Sequence, residues 1–238
     1  MNTIESAIMF VTVSLGGMLF FTIRNVNQKI LKLSLAFTGA FLFSLSLTHL
    51  LPTVFSHDAQ NAGIFILAGF FLQLVLEYFT EGVEHGHEHH HNHHGKSFPL
   101  AMMVGLCIHS FLEGMPLSGH FDTHDHGHSL LAGIILHHLP VAFVLVSMLM
   151  HSGIGRTWSI VNLLLFAAMA PIGAWFSGML SETELMNIGA HYDQIMGLVI
   201  GIFLHISTTI LFESGSGHRF NLYKLSVILL GAIAALLL

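Results

Sequence analysis

Charge is scarce in this chain. Lys, Arg, Asp and Glu make up 8% of its 238 residues, against 53% hydrophobic, where a soluble domain carries about 25% charge. A deficit on that scale excludes a globular protein in water and makes a lipid bilayer the solvent. The mean hydropathy of +0.75 agrees. Cysteine is rarer still. Cys107 stands alone inside an apolar run, so neither a disulfide framework nor a Cys-based zinc site can form within one chain. The 7 basic residues are outnumbered by 13 acidic ones, for a net charge of −6. That balance favours cations over anions at the surface and offers nucleic acid no footprint. Residues 1–5 lack a basic stretch, so the first apolar run reads as a span and not a cleaved signal.

Apolar runs predict eight helices, at roughly 5–23, 33–55, 61–80, 97–118, 129–150, 157–178, 193–212 and 222–238. Each is long enough, or nearly so, to cross the hydrocarbon core. The last is marginal, because Lys224 must snorkel from its start. The expected fold class is an all-α membrane protein of eight transmembrane helices, forming one polytopic domain over 1–238. Arg24, Lys29, Lys32, Lys96, Arg156, Arg219 and Lys224 all fall on one side of this arrangement. That side should be cytoplasmic, which puts both termini outside. The opposite connections hold Asp58, Asp122, Asp125, Glu182, Glu184 and Asp193 and no basic residue.

Histidine is abundant, with 20 in the chain. Four ligand-type residues fall inside spans four and five: His109, Glu113, His137 and His138. Ionisable groups at membrane depth are expensive and signal a task; the plain alternative is a polar network that fixes helix packing. His109 and Glu113 are four apart and share a helix face. Counting inward from 118 and 129 at 1.5 Å per residue places His109 and His137 about 12–14 Å below the same surface. Antiparallel neighbours can therefore bring them together. Three or four N/O ligands suit Zn²⁺, Fe²⁺, Co²⁺ or Ni²⁺ better than Mg²⁺ or Ca²⁺, which prefer oxygen shells. Pro116 and Pro140 lie beside these ligands and should disturb the backbone bonds to Leu112 and Leu136. Freed carbonyls at membrane depth are tolerated where they line a hydrated path.

His49 and His205 read equally well as interhelical hydrogen-bonding groups or as pathway ligands. Glu77 and Glu81, near the cytoplasmic end of span three, read as interfacial, with a place along an exit left open. Two connections are dense in imidazole. The cytoplasmic loop 81–96 carries His85, His87, His89, His90, His91, His93 and His94, and the external loop 119–128 carries His120, His124, His126 and His128. Such tracts chelate metal almost unavoidably; they read either as solvated loops with incidental affinity or, more sharply, as a capture loop outside and a buffering loop inside.

Several of these residues form patterns with a known counterpart. They are His109-Ser110-Phe111-Leu112-Glu113-Gly114 in span four, His137-His138-Leu139-Pro140 in span five and His49-Leu50-Leu51-Pro52 in span two. Together with eight spans and a His-rich loop between the third and fourth, they resemble the Zrt/Irt-like (ZIP) family of divalent metal transporters. The resemblance implies a principal metal site at His109, Glu113 and His137, and a neighbouring one drawing on Ser110 and His138. It also implies that spans one, four, five and six move against spans two, three, seven and eight, with transport toward the cytosol. The chain departs from the family pattern in places. Val141-Ala142 follows the fifth-span proline motif where a further His or carboxylate is usual, and Ala170-Pro171 stands where many relatives place Glu before proline. Ser110 is a weaker ligand than the usual Asn. One occupied central site is therefore expected in place of a binuclear pair.

The leading reading is a carrier for Zn²⁺, with Fe²⁺, Co²⁺ and Cd²⁺ as further candidates. Its partners are the bilayer and the ions, a homodimer is allowed, and a bacterial inner membrane is the expected location. An intramembrane zinc hydrolase would need an open position for water and a general base. His109, His137, His138 and Glu113 could fill those roles, but no His-Glu-x-x-His stands in the chain. A sensor that binds metal without moving it is the third reading.

Overall fold

The computed structural model describes residues 2–23, 28–57, 61–80, 98–118, 127–182, 191–213 and 222–238. These residues form helices and include no strand, as a chain with this hydropathy requires. In hydrocarbon every backbone donor and acceptor must be satisfied inside the protein, and a helix does so within one segment. The helices are α1 (Thr3–Thr22), α2 (Gln28–Leu45), α3 (Leu51–His57), α4 (Ala62–Thr80), α5 (Phe98–Gly114), α6 (Gly127–His151), α7 (Arg156–Glu182), α8 (Tyr192–Glu213) and α9 (Leu222–Leu236). A π turn over Ser46–Leu50 joins α2 to α3, making Gln28–His57 one span. Seven described segments are long and apolar enough to cross a membrane, and α9 is the shorter eighth.

Local chemistry explains the interruptions. At the start of α1, Asn2 Oδ1 accepts from Glu5 N–H and Glu5 Oε2 accepts from Asn2 N–H, both at 2.8 Å, which satisfies two donors at the helix end. Pro52 has no N–H for the carbonyl four residues earlier. Just before it the ladder widens, and the Leu51 N–H bonds Ser46 O. Pro140 is accommodated inside α6. Pro116 behaves differently from a proline in mid-span: α5 stops at Gly114 and tightens into a 3₁₀ turn over Met115–Leu117. Pro116 therefore ends the helix and does not kink it.

The helices pack as two groups of four. In one group α1 packs on α6 and α7, and α7 packs on α5 and α6; in the other α2 packs on α8 and α9, and α3 and α4 pack on α8. The groups meet where α2 faces α6 and α4 faces α5. Within a group, glycines let backbones touch. A Cβ at Gly114 would lie 2.0 Å from Ala170 O, and one at Gly201 would lie 2.0 Å from Ile66 O. Across the boundary the glycine contacts are softer: Gly105 meets the Thr80 methyl, and Gly133 meets the side chains of Leu42, Leu45 and Phe41. The closest backbone approaches thus fall within the groups, where Gly17 and Gly39 also meet side chains, and the two boundary glycines meet side chains first.

The surface is apolar where a bilayer would touch it, with Ile64, Leu67, Phe71 and Leu74 of α4 exposed. The interior holds two apolar layers stacked along the bundle. One contains Met102, Leu106, Val141, Leu145, Leu163 and Phe166. The other contains Leu117, Leu130, Ile134, Ala170 and Ala174. Along α5, α6 and α7 the two layers leave a gap in the sequence positions they occupy, and that gap holds the ligand-type residues.

The described basic residues gather at one end of the bundle. Arg156 stacks over the Phe21 ring and Lys29 over the Tyr223 ring, while Lys224 Nζ donates to Leu211 O at 3.3 Å. The opposite end has His57 Nδ1 3.1 Å from Asp193 Oδ1 and His128 Nδ1 4.0 Å from Glu5 Oε1.

Candidate metal centre

The apolar periodicity of α5 turns His109 and Glu113 inward one helical turn apart, and α6 presents His137 and His138 just before Pro140. One ligand atom each from His109, Glu113 and His137 lies within 4.8 Å of the others, and all three residues are fully buried. His109 Nε2 is 3.3 Å from Glu113 Oε1. Ligands about 2.1 Å from a tetrahedral ion stand about 3.4 Å apart, so this pair already has chelating separation. The second carboxylate oxygen, Oε2, is 2.9 Å from His138 Nε2. The His109 ring centroid is 6.0 Å from that of His137 and 6.1 Å from that of His138.

α5 and α6 meet through these side chains and are not among the closely packed helix pairs, although each packs on α7. The two helices are thus bridged by imidazoles and a carboxylate, as the counted depths of His109 and His137 anticipate. Small residues bring α7 this close. Gly114, next to Glu113, sits against the Ala170 backbone, and Gly173 sits against Phe111 O. Ala170 and Pro171 themselves bring no ligand.

The other sequence candidates take different places. Ser110 is buried, but its hydroxyl donates to Phe166 O at 3.4 Å. His49 lies in the π turn, half-buried, with Nδ1 2.8 Å from Thr48 Oγ1. His205 is buried with Nε2 3.4 Å from Glu77 Oε2, and its ring packs edge-on against Phe70 at 4.8 Å. Glu77, near the end of α4 and partly exposed, thus pairs with α8. His85, His87, His89, His90, His91, His93, His94, His120, His124, His126 and Glu81 lie outside the described residues. His128 is exposed in the first turn of α6.

One residue escaped the sequence reading. Gln73, on α4, is fully buried, and its Oε1 lies 3.1 Å from His109 Nδ1. The signal was a single amide in an otherwise apolar run, Phe70-Phe71-Leu72-Gln73-Leu74-Val75. Glu77 follows on the same helix four residues later, about 6 Å along the axis, toward the basic end.

The described helices form a bundle with segments of membrane-crossing length, and its buried His/carboxylate group could hold a metal ion. The family described as ZIP zinc transporter matches residues 98–238, which is more than half of the chain, and the chain belongs to that family. Relatives include zinc transporter ZIP9 of Micropogonias undulatus, 31% identical over 171 residues that cover 68% of this chain and 55% of the relative. Zinc transporter ZIP9-A of Xenopus laevis is 28% identical over 174 residues, covering 68% and 57%. Zinc transporter ZIP1 of Danio rerio is 26% identical over 106 residues, covering 44% and 35%. The chain thus spans little more than half the length of the two ZIP9 relatives.

Proposed function

We propose that this protein carries a divalent transition metal, Zn²⁺ first among them, across the membrane through the layer formed by His109, Glu113, His137 and His138. The observation that carries this reading is the fully buried group of three whose ligand atoms lie within 4.8 Å of one another. Two neutral imidazoles and one carboxylate would replace part of the ion's hydration shell and offset one of its two charges. His138 would hold the carboxylate from its other side. A single site is what this donor set supports, since Ser110 turns to a backbone carbonyl and α7 brings Ala170 in place of a carboxylate.

The four side chains are closed off between two apolar layers. A carrier must open one layer at a time, and the boundary between the two helix groups is a surface along which that can happen. Glu77 and His205, about one turn further toward the basic end, offer the next N/O station on the way to the cytosol. The positive-inside rule supports a cytosolic placement of that end. A bacterial inner membrane is the proposed location, while the relatives named above are animal proteins. The zinc transporter names of those relatives favour a carrier over a hydrolase or a sensor.

The test is uptake of Zn²⁺, Fe²⁺, Mn²⁺, Co²⁺ and Cd²⁺ into proteoliposomes, with wild type beside His109→Ala and Glu113→Ala. Flux by the wild type and its loss in both variants is the expected result. Saturable binding without flux would favour a sensor, and unchanged flux in both variants would overturn the site.

A further inference from the structure

Gln73 and His109 stand on different helix groups, α4 and α5, yet are joined by a 3.1 Å contact between Gln73 Oε1 and His109 Nδ1. Both side chains are fully buried. A buried amide in a span is costly unless bonded. Gln73 Nε2 has no hydrogen-bond partner among the described residues, so the bond to His109 is the specific contact this side chain makes there.

The chemistry of imidazole gives that bond a direction. A neutral ring carries one N–H, and its other nitrogen holds the lone pair that binds metal. His109 Nε2 faces Glu113 Oε1, and Nδ1 faces Gln73. For Nε2 to ligate, Nδ1 must hold the proton and donate it to an acceptor. The Gln73 carbonyl oxygen is that acceptor. Outer partners of this kind fix ring orientation and tautomer, and losing one typically costs about 10–100-fold in metal affinity.

We infer that Gln73 is a positioning residue for the metal site, holding His109 in its ligating tautomer from the opposite helix group. This rests on the proposed carrier reading, and it adds a link between ligand geometry and the register of the two groups. When the groups shift along their seam the bond stretches, His109 loses its acceptor, and the site's grip on the ion weakens. Affinity is then highest in the closed register and falls as the groups move, which favours release.

The experiment uses the full chain with Zn²⁺ as probe, reading equilibrium binding, uptake KM and turnover, and thermal unfolding without metal. The variants are Gln73→Leu, Gln73→Glu, His109→Ala and the Gln73→Leu/His109→Ala double. Gln73→Leu should weaken Zn²⁺ binding about 10-fold or more. Gln73→Glu keeps an acceptor, and a stronger one. It should bind at least as tightly as wild type, with lower KM and slower turnover. In the His109→Ala background, Gln73→Leu should have no further effect on binding. Equal damage from Leu and Glu, or unchanged binding in Gln73→Leu while His109→Ala weakens it, would reduce Gln73 to a packing contact and overturn the inference. Zn²⁺ binding untouched by His109→Ala would instead overturn the site itself, and this inference with it.

Discussion

His138 Nε2 lies 2.9 Å from Glu113 Oε2, leaving Oε1 to face His109 at 3.3 Å. The carboxylate therefore stands between two imidazoles, one near each oxygen. His137, by contrast, stands in the group of three ligand-type residues. The two adjacent histidines should differ in effect. His137→Ala removes a ligand and should abolish high-affinity Zn²⁺ binding. His138→Ala frees the carboxylate and should weaken binding about 10-fold, the size of an outer-partner loss. Titration of both variants with Zn²⁺ decides the matter, and equal losses would put His138 among the ligands.

Glu113 is the one carboxylate in the layer, and it is fully buried. Glu113→Gln preserves its shape and removes its charge. Stranding an uncompensated charge in a buried site costs about 3–5 kcal/mol, and each 1.4 kcal/mol is tenfold. Zn²⁺ affinity should fall by about 100-fold or more, with the variant still folded and inserted. Uptake KM within a few-fold of wild type would refute a central role for this charge.

Glu77 and His205 pair across α4 and α8 at 3.4 Å, about one helical turn from the level of Gln73. If they receive the ion after the central layer, Glu77→Gln and His205→Ala should slow turnover several-fold. Equilibrium binding at the His109 group should stay near wild type. Rapid-mixing uptake alongside equilibrium titration separates the two effects. A matching fall in both would place the pair within the central site.

Much of this was legible in the sequence, because bilayer physics leaves few choices. A run of about 20 apolar residues must be a helix, and seven of the eight expected spans are described helices of membrane-crossing length, with α9 shorter. His109, Glu113 and His137 stood out because ionisable groups are so rarely placed at that depth. Gln73 did not stand out, since an uncharged amide disturbs hydropathy little and its partner is 36 residues away. The π turn before Pro52 and the 3₁₀ ending at Pro116 were equally hidden. Proline marks a disturbance, but the neighbouring helices decide which form it takes. The close approach of α7 to α5 rests on Gly114 and Gly173, a contact between spans about 60 residues apart that spacing within one span does not reveal.

That packing makes a stability prediction. A Cβ at Gly114 would lie 2.0 Å from Ala170 O and one at Gly173 would lie 2.1 Å from Phe111 O, whereas Gly63 has open space around its position. Gly114→Ala and Gly173→Ala should each destabilise by about 1–3 kcal/mol, the usual cost of overpacking. Gly63→Ala should stay within about 0.5 kcal/mol of wild type. Thermal unfolding of the detergent-solubilised protein ranks the three. A Gly114→Ala variant as stable as Gly63→Ala would mean that α5 and α7 are not keyed together, and the division into two groups would lose one of its supports.

The direction of transport depends on which end of the bundle faces the cytosol. Lys29, Arg156 and Lys224 lie at one end, where Arg156 stacks on Phe21 and Lys29 on Tyr223. His57 and Asp193 mark the other. Positive charge near span ends is retained on the cytoplasmic side, so His57 should be outside and Arg156 inside. Cys107 is the chain's only cysteine, so Cys107→Ser gives a background without thiols. In that background, His57→Cys and Arg156→Cys each place one reporter at an exposed position. A membrane-impermeant maleimide applied to intact cells should label the first and not the second, and permeabilised cells should label both. The reverse pattern would invert the bundle. The Glu77–His205 pair would then lie on the entry side, and the same ligand layer would be read as loading from the cytosol.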